Sequence, residues 1–285
     1  MDKKLTEQQA AVVVEKLREA TRKNAWRLTV NTDRKPGLCD TKFGGIPYWD
    51  AKQEYPELIG QPLVLLAQIN LRDLGKNEYL PDCGLLQFFI LPDDMYGCDF
   101  DKPDSNDTFR VVYHAEIDPV VTAEDVLALG ILTTATAREE DECCMPICGM
   151  GEIAVDVQKT VVSMGVECYE YDSMIAGIAG ELGINVPEHP TAYSLLPEKL
   201  FDAEFDQNTG HWLFGYPYFT QYDPRECSEE LQRYDTMLFQ MDSDFPSGSN
   251  YQILWGDCGV ANFFINSDDL RRLDFSRVMY TWDCC

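Results

Sequence analysis

Asp82-Cys83-Gly84-Leu85-Leu86-Gln87-Phe88-Phe89-Ile90 returns 175 positions later as Asp257-Cys258-Gly259-Val260-Ala261-Asn262-Phe263-Phe264-Ile265, and two aspartates follow in both places, Asp93-Asp94 and Asp268-Asp269. Each copy reads as a turn, with its glycine at a positive-φ position, leading into an apolar run of strand length. Successive side chains of a strand point to opposite faces. Phe88 and Phe89, like Phe263 and Phe264, are therefore predicted to divide between the core and a second apolar layer. The aspartate pairs are predicted to open short helices, with their charge at the positive end.

Three further pairs of blocks flank this one in the same order. Phe43-Gly44-Gly45-Ile46-Pro47-Tyr48-Trp49 resembles Leu213-Phe214-Gly215-Tyr216-Pro217-Tyr218-Phe219 at an offset of 170. Leu65-Leu66-Ala67-Gln68-Ile69-Asn70 resembles Met237-Leu238-Phe239-Gln240-Met241-Asp242 at 172, and Arg110 to Tyr113 resembles Arg277 to Tyr280 at 167. Gly-x-Pro before an aromatic makes a rigid turn into a strand, because proline fixes φ. Gln68 and Gln240, each inside an apolar run, are predicted to be buried with their amides bonded to backbone. Colinear blocks at nearly constant offset predict two copies of one strand-rich unit. The positions that define it are Pro47 and Pro217, Gln68 and Gln240, Asp82 and Asp257, Gly84 and Gly259, and Phe89 and Phe264.

Outward from the repeat, Thr6 and Gln9 form a capping-box pattern, and Ala10, Val13, Val14, Leu17 and Ala20 recur at helical spacing. Lys16, Arg18, Arg22 and Lys23 alternate with Glu7, Glu15 and Glu19 on the other side, which reads as a solvated face rather than a membrane-surface helix. Leu63 to Ile69, Leu85 to Leu91, Phe109 to Tyr113, Met237 to Met241 and Val260 to Ile265 read as strands. The predicted fold class is α+β: internally duplicated, mostly antiparallel β units packed as one domain, with an N-terminal amphipathic helix and a helix-containing central insertion. Its parts are residues 1–39 (helix and lead-in), 40–118 (first unit), 119–204 (insertion) and 205–285 (second unit).

Among the 285 residues, 45% are apolar, 12% aromatic and 25% charged, enough to bury a sizeable core. No window is long and apolar enough to cross a bilayer, and the first residues show no signal-type stretch, so a soluble cytoplasmic protein without a membrane partner is expected. The formal net charge is −26. Residues 1–40 carry nine basic and six acidic side chains, whereas residues 41–285 carry 14 basic and 43 acidic. Such a surface repels phosphate backbones, and no nucleic-acid partner is expected. The eleven cysteines, odd in number and irregularly spaced, read as reduced thiols.

Catalytic and metal motifs are sparse. A cysteine nucleophile would need a base beside it. The candidates, Cys83 and Cys258 with His114, His189 and His211, include two cysteines at equivalent places in the repeat, which points to turn structure. Cys143, Cys144 and Cys148 lack the spacing of a zinc knuckle and read as free thiols. Cys284-Cys285 resembles a prenylation ending but reads as the end of a strand. Gly177 to Gly183 carries no phosphate-loop fingerprint; it reads as a helix capped by Ser173 and ended by Gly183. Asp242-Ser243-Asp244 lacks the later ligands of a calcium loop and reads as a turn. No cofactor, metal or catalytic residue is assigned.

The string Gln61 to Leu71 (QPLVLLAQINL), then Gly84 to Phe89 (GLLQFF), His211 to Arg225 (HWLFGYPYFTQYDPR), Leu254 to Gly259 (LWGDCG) and Asn262 to Ile265 (NFFI) resembles the YwqG family, a domain-of-unknown-function group. The resemblance runs from about residue 40 to the end and is much less clear over residues 119–204. It implies a single α+β domain whose two similar halves share strands, and it implies no activity or catalytic residue. The family shows two glycines before the second Tyr-Pro, and here Phe214 fills the first of those places.

The expected function is recognition without catalysis: a cytoplasmic protein-interaction module whose partner has a basic contact face, with toxin neutralisation in bacteria as one concrete form. The alternative is a small-molecule or peptide binding module with a pocket between the two units. An undiscovered hydrolase is third. His211, Tyr216 and Trp255 are the functional candidates.

Overall fold

The computed structural model describes residues 4–137, 145–205 and 207–284. Helix α1 (Glu7–Ala20) begins at Thr6, whose side chain accepts from Gln9 N while the Gln9 side chain accepts from Thr6 N. Ala10, Val13, Val14 and Leu17 are buried, and Glu15, Lys16, Arg18 and Glu19 are exposed.

Strand β1 (Lys23–Asn31) follows at once, and then β2 (Lys42–Gly44), the short hairpin β3 (Glu57–Leu58) and β4 (Gln61–Pro62), β5 (Val64–Asn70), β6 (Leu85–Ile90) and β7 (Phe109–His114). The next stretch holds α2 (Ala123–Leu127), β8 (Ile147–Gly149), β9 (Glu152–Val162), α3 (Tyr171–Glu181), α4 (Ala192–Leu195) and α5 (Glu198–Glu204). The remainder is β10 (His211–Leu213), β11 (Thr236–Asp242), β12 (Tyr251–Ile253), β13 (Val260–Ile265), α6 (Ser267–Arg271) and β14 (Val278–Asp283).

Ten strands form one sheet in the order β14-β13-β11-β10-β1-β9-β2-β5-β6-β7, with antiparallel pairing throughout. The sheet reads as two runs of five, β9-β2-β5-β6-β7 and β1-β10-β11-β13-β14, joined along β1 and β9. The join is the longest pairing, from Lys23 opposite Val162 to Asn31 opposite Ala154. Residues 119–204 are thus not merely an insertion bearing helices, because they supply a strand at the centre of the sheet. Both runs are bulged at matching places, between Leu65 and Ala67 and between Met237 and Phe239.

The sheet curls until its ends nearly meet. Phe88 lies 4.6 Å from Phe239 and 5.1 Å from Phe263 between ring centres, and Phe109 of β7 lies 5.2 Å from Tyr280 of β14. The inner core runs through both halves. As expected, the paired phenylalanines divide: Phe88 and Phe263 face this core, whereas Phe89 and Phe264 belong to two outer layers. A further layer joins α1, α3 and α4 through Val13, Leu17, Tyr171, Ile175 and Leu195.

A strap from Leu91 to Thr108 fills the gap between the end strands. Tyr280 N, on the open edge of β14, donates to Pro103 O at 2.7 Å, and Tyr280 Oη and Trp282 Nε1 donate to Tyr96 O and Met95 O.

Several local expectations are corrected. Asp268 and Asp269 open α6, capped by Asn266, but Asp93 and Asp94 sit in a turn in which Asp93 Oδ1 accepts from Met95 N and Gly97 N. Ser173 does not cap α3; it lies within the helix and its hydroxyl donates to Glu170 O. Gly183 does end α3, at φ 71, with Gly183 N and Ile184 N bonding back to Gly180 O and Ala179 O. The fourth pair of blocks is displaced by two residues: the ladders align Phe109 with Val278, an offset of 169, because β6 and β13 set the register.

Candidate functional site

The repeated glutamines hold repeated loops. Gln68 Oε1 accepts from Tyr48 N at 2.9 Å, and its Nε2 donates to Leu38 O and Asp40 O. Gln240 Oε1 accepts from Tyr218 N at 2.8 Å, and its Nε2 donates to Asn208 O and Gly210 O. Both side chains are fully buried. Each clamp fastens the turn around Pro47 or Pro217, both buried, to the outer face of its sheet run. Asp82 and Asp257 are exposed at the tips of the other turns. Gly84 has the predicted positive φ (113°) and Gly259 does not; the left-handed residue of the second turn is Gly256 (φ 57). Gly259 is needed for close approach instead, since a Cβ there would lie 1.8 Å from Asp283 O.

The three functional candidates lie apart. His211 is buried, its Nδ1 accepting from Asp242 N at 3.1 Å and its Nε2 3.6 Å from Asp244 Oδ2. Nε2 therefore carries the proton, and the contact with His211 helps hold the Asp244 carboxyl below its ordinary range. Thr41 does the same work in the first run, where its hydroxyl accepts from Asn70 N. His211 is thus built into the sheet. Tyr216 donates to Thr21 O, and the Lys23 ammonium rests 3.5 Å above its ring; burial brings that lysine down to about 8. Trp255 is fully buried behind Tyr96 and Trp282.

Sequence reasoning missed two buried ion pairs. Lys42 is wholly buried, its ammonium donating to Ile46 O at 2.6 Å and Glu152 Oε1 at 2.8 Å. Arg225 clasps Asp223 through both carboxylate oxygens, donates to Tyr234 O and lies 4.1 Å over the Phe264 ring. The only prior sign was the close spacing of opposite charges in Asp223-Pro224-Arg225, inside an aromatic stretch.

The loop after β10 crosses the outer face of the second run and leaves a hollow against α3, α4 and α5. Tyr169, Tyr193, Phe201, Phe205, Phe219 and Tyr222 stand in its walls. Phe219, Gln221 and Tyr222 also line a second hollow, which lies between the end of β14 and Phe100 and Pro103 of the strap. Phe100, Pro103 and Leu231 continue into a third, at Arg233. Shared walls make the three one continuous groove.

Tyr193, Tyr222 and Phe100 are 70%, 55% and 49% exposed, so their rings are open to solvent. Nine carboxylates line the groove, Glu167, Asp172, Glu226 and Asp283 among them; the buried Asp223 is held by Arg225, which leaves eight against two cations, Lys102 and Arg233. Arg233 already pairs with Asp104 at 3.0 Å. Burial raises the Asp172 carboxyl, which accepts from Ala192 N at 2.6 Å. Carboxylates among ring faces attract cations, by Coulomb force and through the ring quadrupoles.

Among the described residues, no group of three or more His, Cys, Asp or Glu side chains could hold a metal ion. Cys143, Cys144 and Cys285 lie outside the described residues; Cys148 and Cys284 are half-buried thiols. No described helix is long and apolar enough to cross a membrane. No curated protein matches the chain. Residues 41–284 match the model of one family, described as Domain of unknown function (DUF1963), and the chain belongs to that family.

Proposed function

We propose that the groove receives a basic segment of a partner protein and that the chain works by recognition without catalysis. The observation that carries this reading is the groove lining, with eight carboxylates besides the paired Asp223 and two cations among exposed aromatic rings. The rings supply flat contact area and cation–π attraction, and the carboxylates supply encounter and register. A cytoplasmic protein of this kind could neutralise a cationic toxin in bacteria. A small-molecule or peptide site is the second reading, favoured by the middle hollow, where the strap meets the end of β14.

The architecture has a proposal of its own: one domain of YwqG type that arose by duplication of a five-strand unit. The matching bulges, the paired glutamine clamps and the left-handed residues Gly44-Gly45 and Phe214-Gly215 support it.

The test is calorimetric titration with lysine- and arginine-rich peptides against acidic peptides of equal length. Tight binding of basic peptides, weakened at least tenfold by Tyr222→Ala with Glu226→Lys, is expected. The association rate should fall as salt rises, since surface charge is screened beyond about 8 Å at physiological ionic strength. Equal affinity for acidic peptides, or no binding of basic ones, would overturn the reading.

A further inference from the structure

The groove changes sign at its far end. Arg233 stands in the wall of the third hollow and also in that of a fourth, which Arg272, Arg277 and the α6 residues Asp268 and Asp269 line with it. Three guanidiniums meet two carboxylates there, in a chain whose formal net charge is −26. The local fold brings them together. Asn266 caps α6, and its Nδ2 donates to Arg233 O at 2.8 Å, which ties the Leu231–Arg233 turn to the helix. Leu273, at φ 56, ends α6, and Asp274 N bonds back to Asp269 O, so the chain reverses and Arg277 returns to Asp269.

The Asp269 side chain, 5% exposed, is shared by two cations: a terminal nitrogen of Arg272 donates to Oδ1, and one of Arg277 lies 3.2 Å from both oxygens. One cation would neutralise it, so the second leaves a positive charge over. Arg233 engages Asp104 and Tyr234 Oη through a single terminal nitrogen. A guanidinium carries five N–H donors in a fork that matches a carboxylate. The remaining donors of these three arginines have no acceptor among the described residues, and all three side chains are more than half exposed. Asp268 pairs with Arg271, and two carboxylates close by, Asp235 and Asp274, accept from Ser267 and Ser276. In the first run Asp93 holds backbone N–H groups instead, so the cluster is not a demand of the repeat.

We propose that the arginine hollow receives the C-terminal carboxylate of the segment lying in the groove, so that the partner presents a basic chain end and not an internal loop. This rests on the groove reading and adds a direction to it, with the chain running from α3 toward α6. A basic chain end carries both signs in the order in which the groove presents them: cationic side chains for the acidic walls, then one oxyanion at the terminus for Arg233, Arg272 and Arg277.

The test is calorimetric titration with one lysine- and arginine-rich peptide in two forms, a free C-terminal acid and a C-terminal amide. The acid is expected to bind about tenfold tighter, because the amide loses a charge-assisted contact. Attraction to the acidic walls alone would favour the amide, which has one more net positive charge, so the sign of the difference is diagnostic. In Arg277→Gln, which leaves Asp269 its contact with Arg272, the acid should lose its advantage. Should that variant not fold, the Nε–H signals of Arg272 and Arg277 in NMR spectra of the wild-type protein decide: they should move with the acid and stay with the amide. Equal affinity, a tighter amide, an advantage that survives Arg277→Gln, or signals that do not tell acid from amide would overturn the proposal and leave the groove reading standing. Failure of both peptides to bind would overturn the two together.

Discussion

Asp223 and Arg225, two residues apart, face each other through two parallel contacts, Nε to Oδ1 at 2.9 Å and a terminal nitrogen to Oδ2 at 2.6 Å. Their side chains are 1% and 4% exposed, so each charge depends on the other. Asp223 also starts the short 3₁₀ turn Pro224–Cys227. The pair thereby positions the loop that walls the groove.

Arg225→Met should destabilise the fold by about 3–5 kcal/mol, because it leaves the Asp223 carboxylate buried and unpaired. Arg225→Lys should recover only part of this loss, as an ammonium cannot match the two-pronged contact and still reach Tyr234 O. Urea unfolding measures both. Equal stability of wild type and Arg225→Met would show that the pair is dispensable.

Gln68→Leu and Gln240→Leu should each cost roughly 1–3 kcal/mol by stranding the loop groups they now satisfy. Gln68 should cost more, since Gln87 Nε2 also donates to its oxygen at 2.8 Å. Thermal midpoints of the two variants, compared side by side, check the order.

His114 gives the folded protein a pH dependence of definite sign. Burial lowers its pKa from 6.5 to about 4, so the unfolded chain binds the proton more readily than the folded one. Stability is full above about pH 6.5 and is lost as pH falls toward 4, by up to about 3 kcal/mol. His114→Gln, which can still donate to Gln87 and does not titrate, should flatten unfolding curves across that window. An unchanged slope would assign the acid sensitivity to other groups.

Phe214 holds φ 58, in the left-handed region where the first run has Gly44 (φ 64). A side chain there costs about 1–2 kcal/mol. Yet Phe214 is buried, stacked at 4.1 Å on Tyr79 and edge-on to Trp26, contacts whose removal costs about 3–5 kcal/mol. Packing wins, and Phe214→Gly should destabilise by roughly 2–3 kcal/mol in denaturant titration. A gain in stability would reverse that ranking.

The strands were legible wherever apolar runs lay between turn residues, as in Leu85 to Ile90 or Val260 to Ile265, and the clamps wherever a lone glutamine interrupted such a run. Strand β9 was not, because Glu152 to Val162 alternates with Asp156, Gln158 and Lys159 in a region read for its helices. Lys42 looked like a surface lysine between Thr41 and Phe43; only the tertiary approach of Glu152 and the Ile46 carbonyl explains its burial. The groove was invisible for a similar reason, since Tyr169, Tyr193, Tyr222 and Phe100 come from four separate segments that only the folded chain assembles.

The strap contact at Tyr280 has a consequence for colloidal behaviour. An unpaired edge strand invites strands of other molecules to add to it, and here the edge of β14 is met by a residue, Pro103, that accepts a hydrogen bond but has no N–H to offer. The ladder therefore ends within the same chain. A single protease nick in the Leu91 to Thr108 segment would reopen the edge, so clipped protein should polymerise through β14 at concentrations where the intact chain stays dispersed.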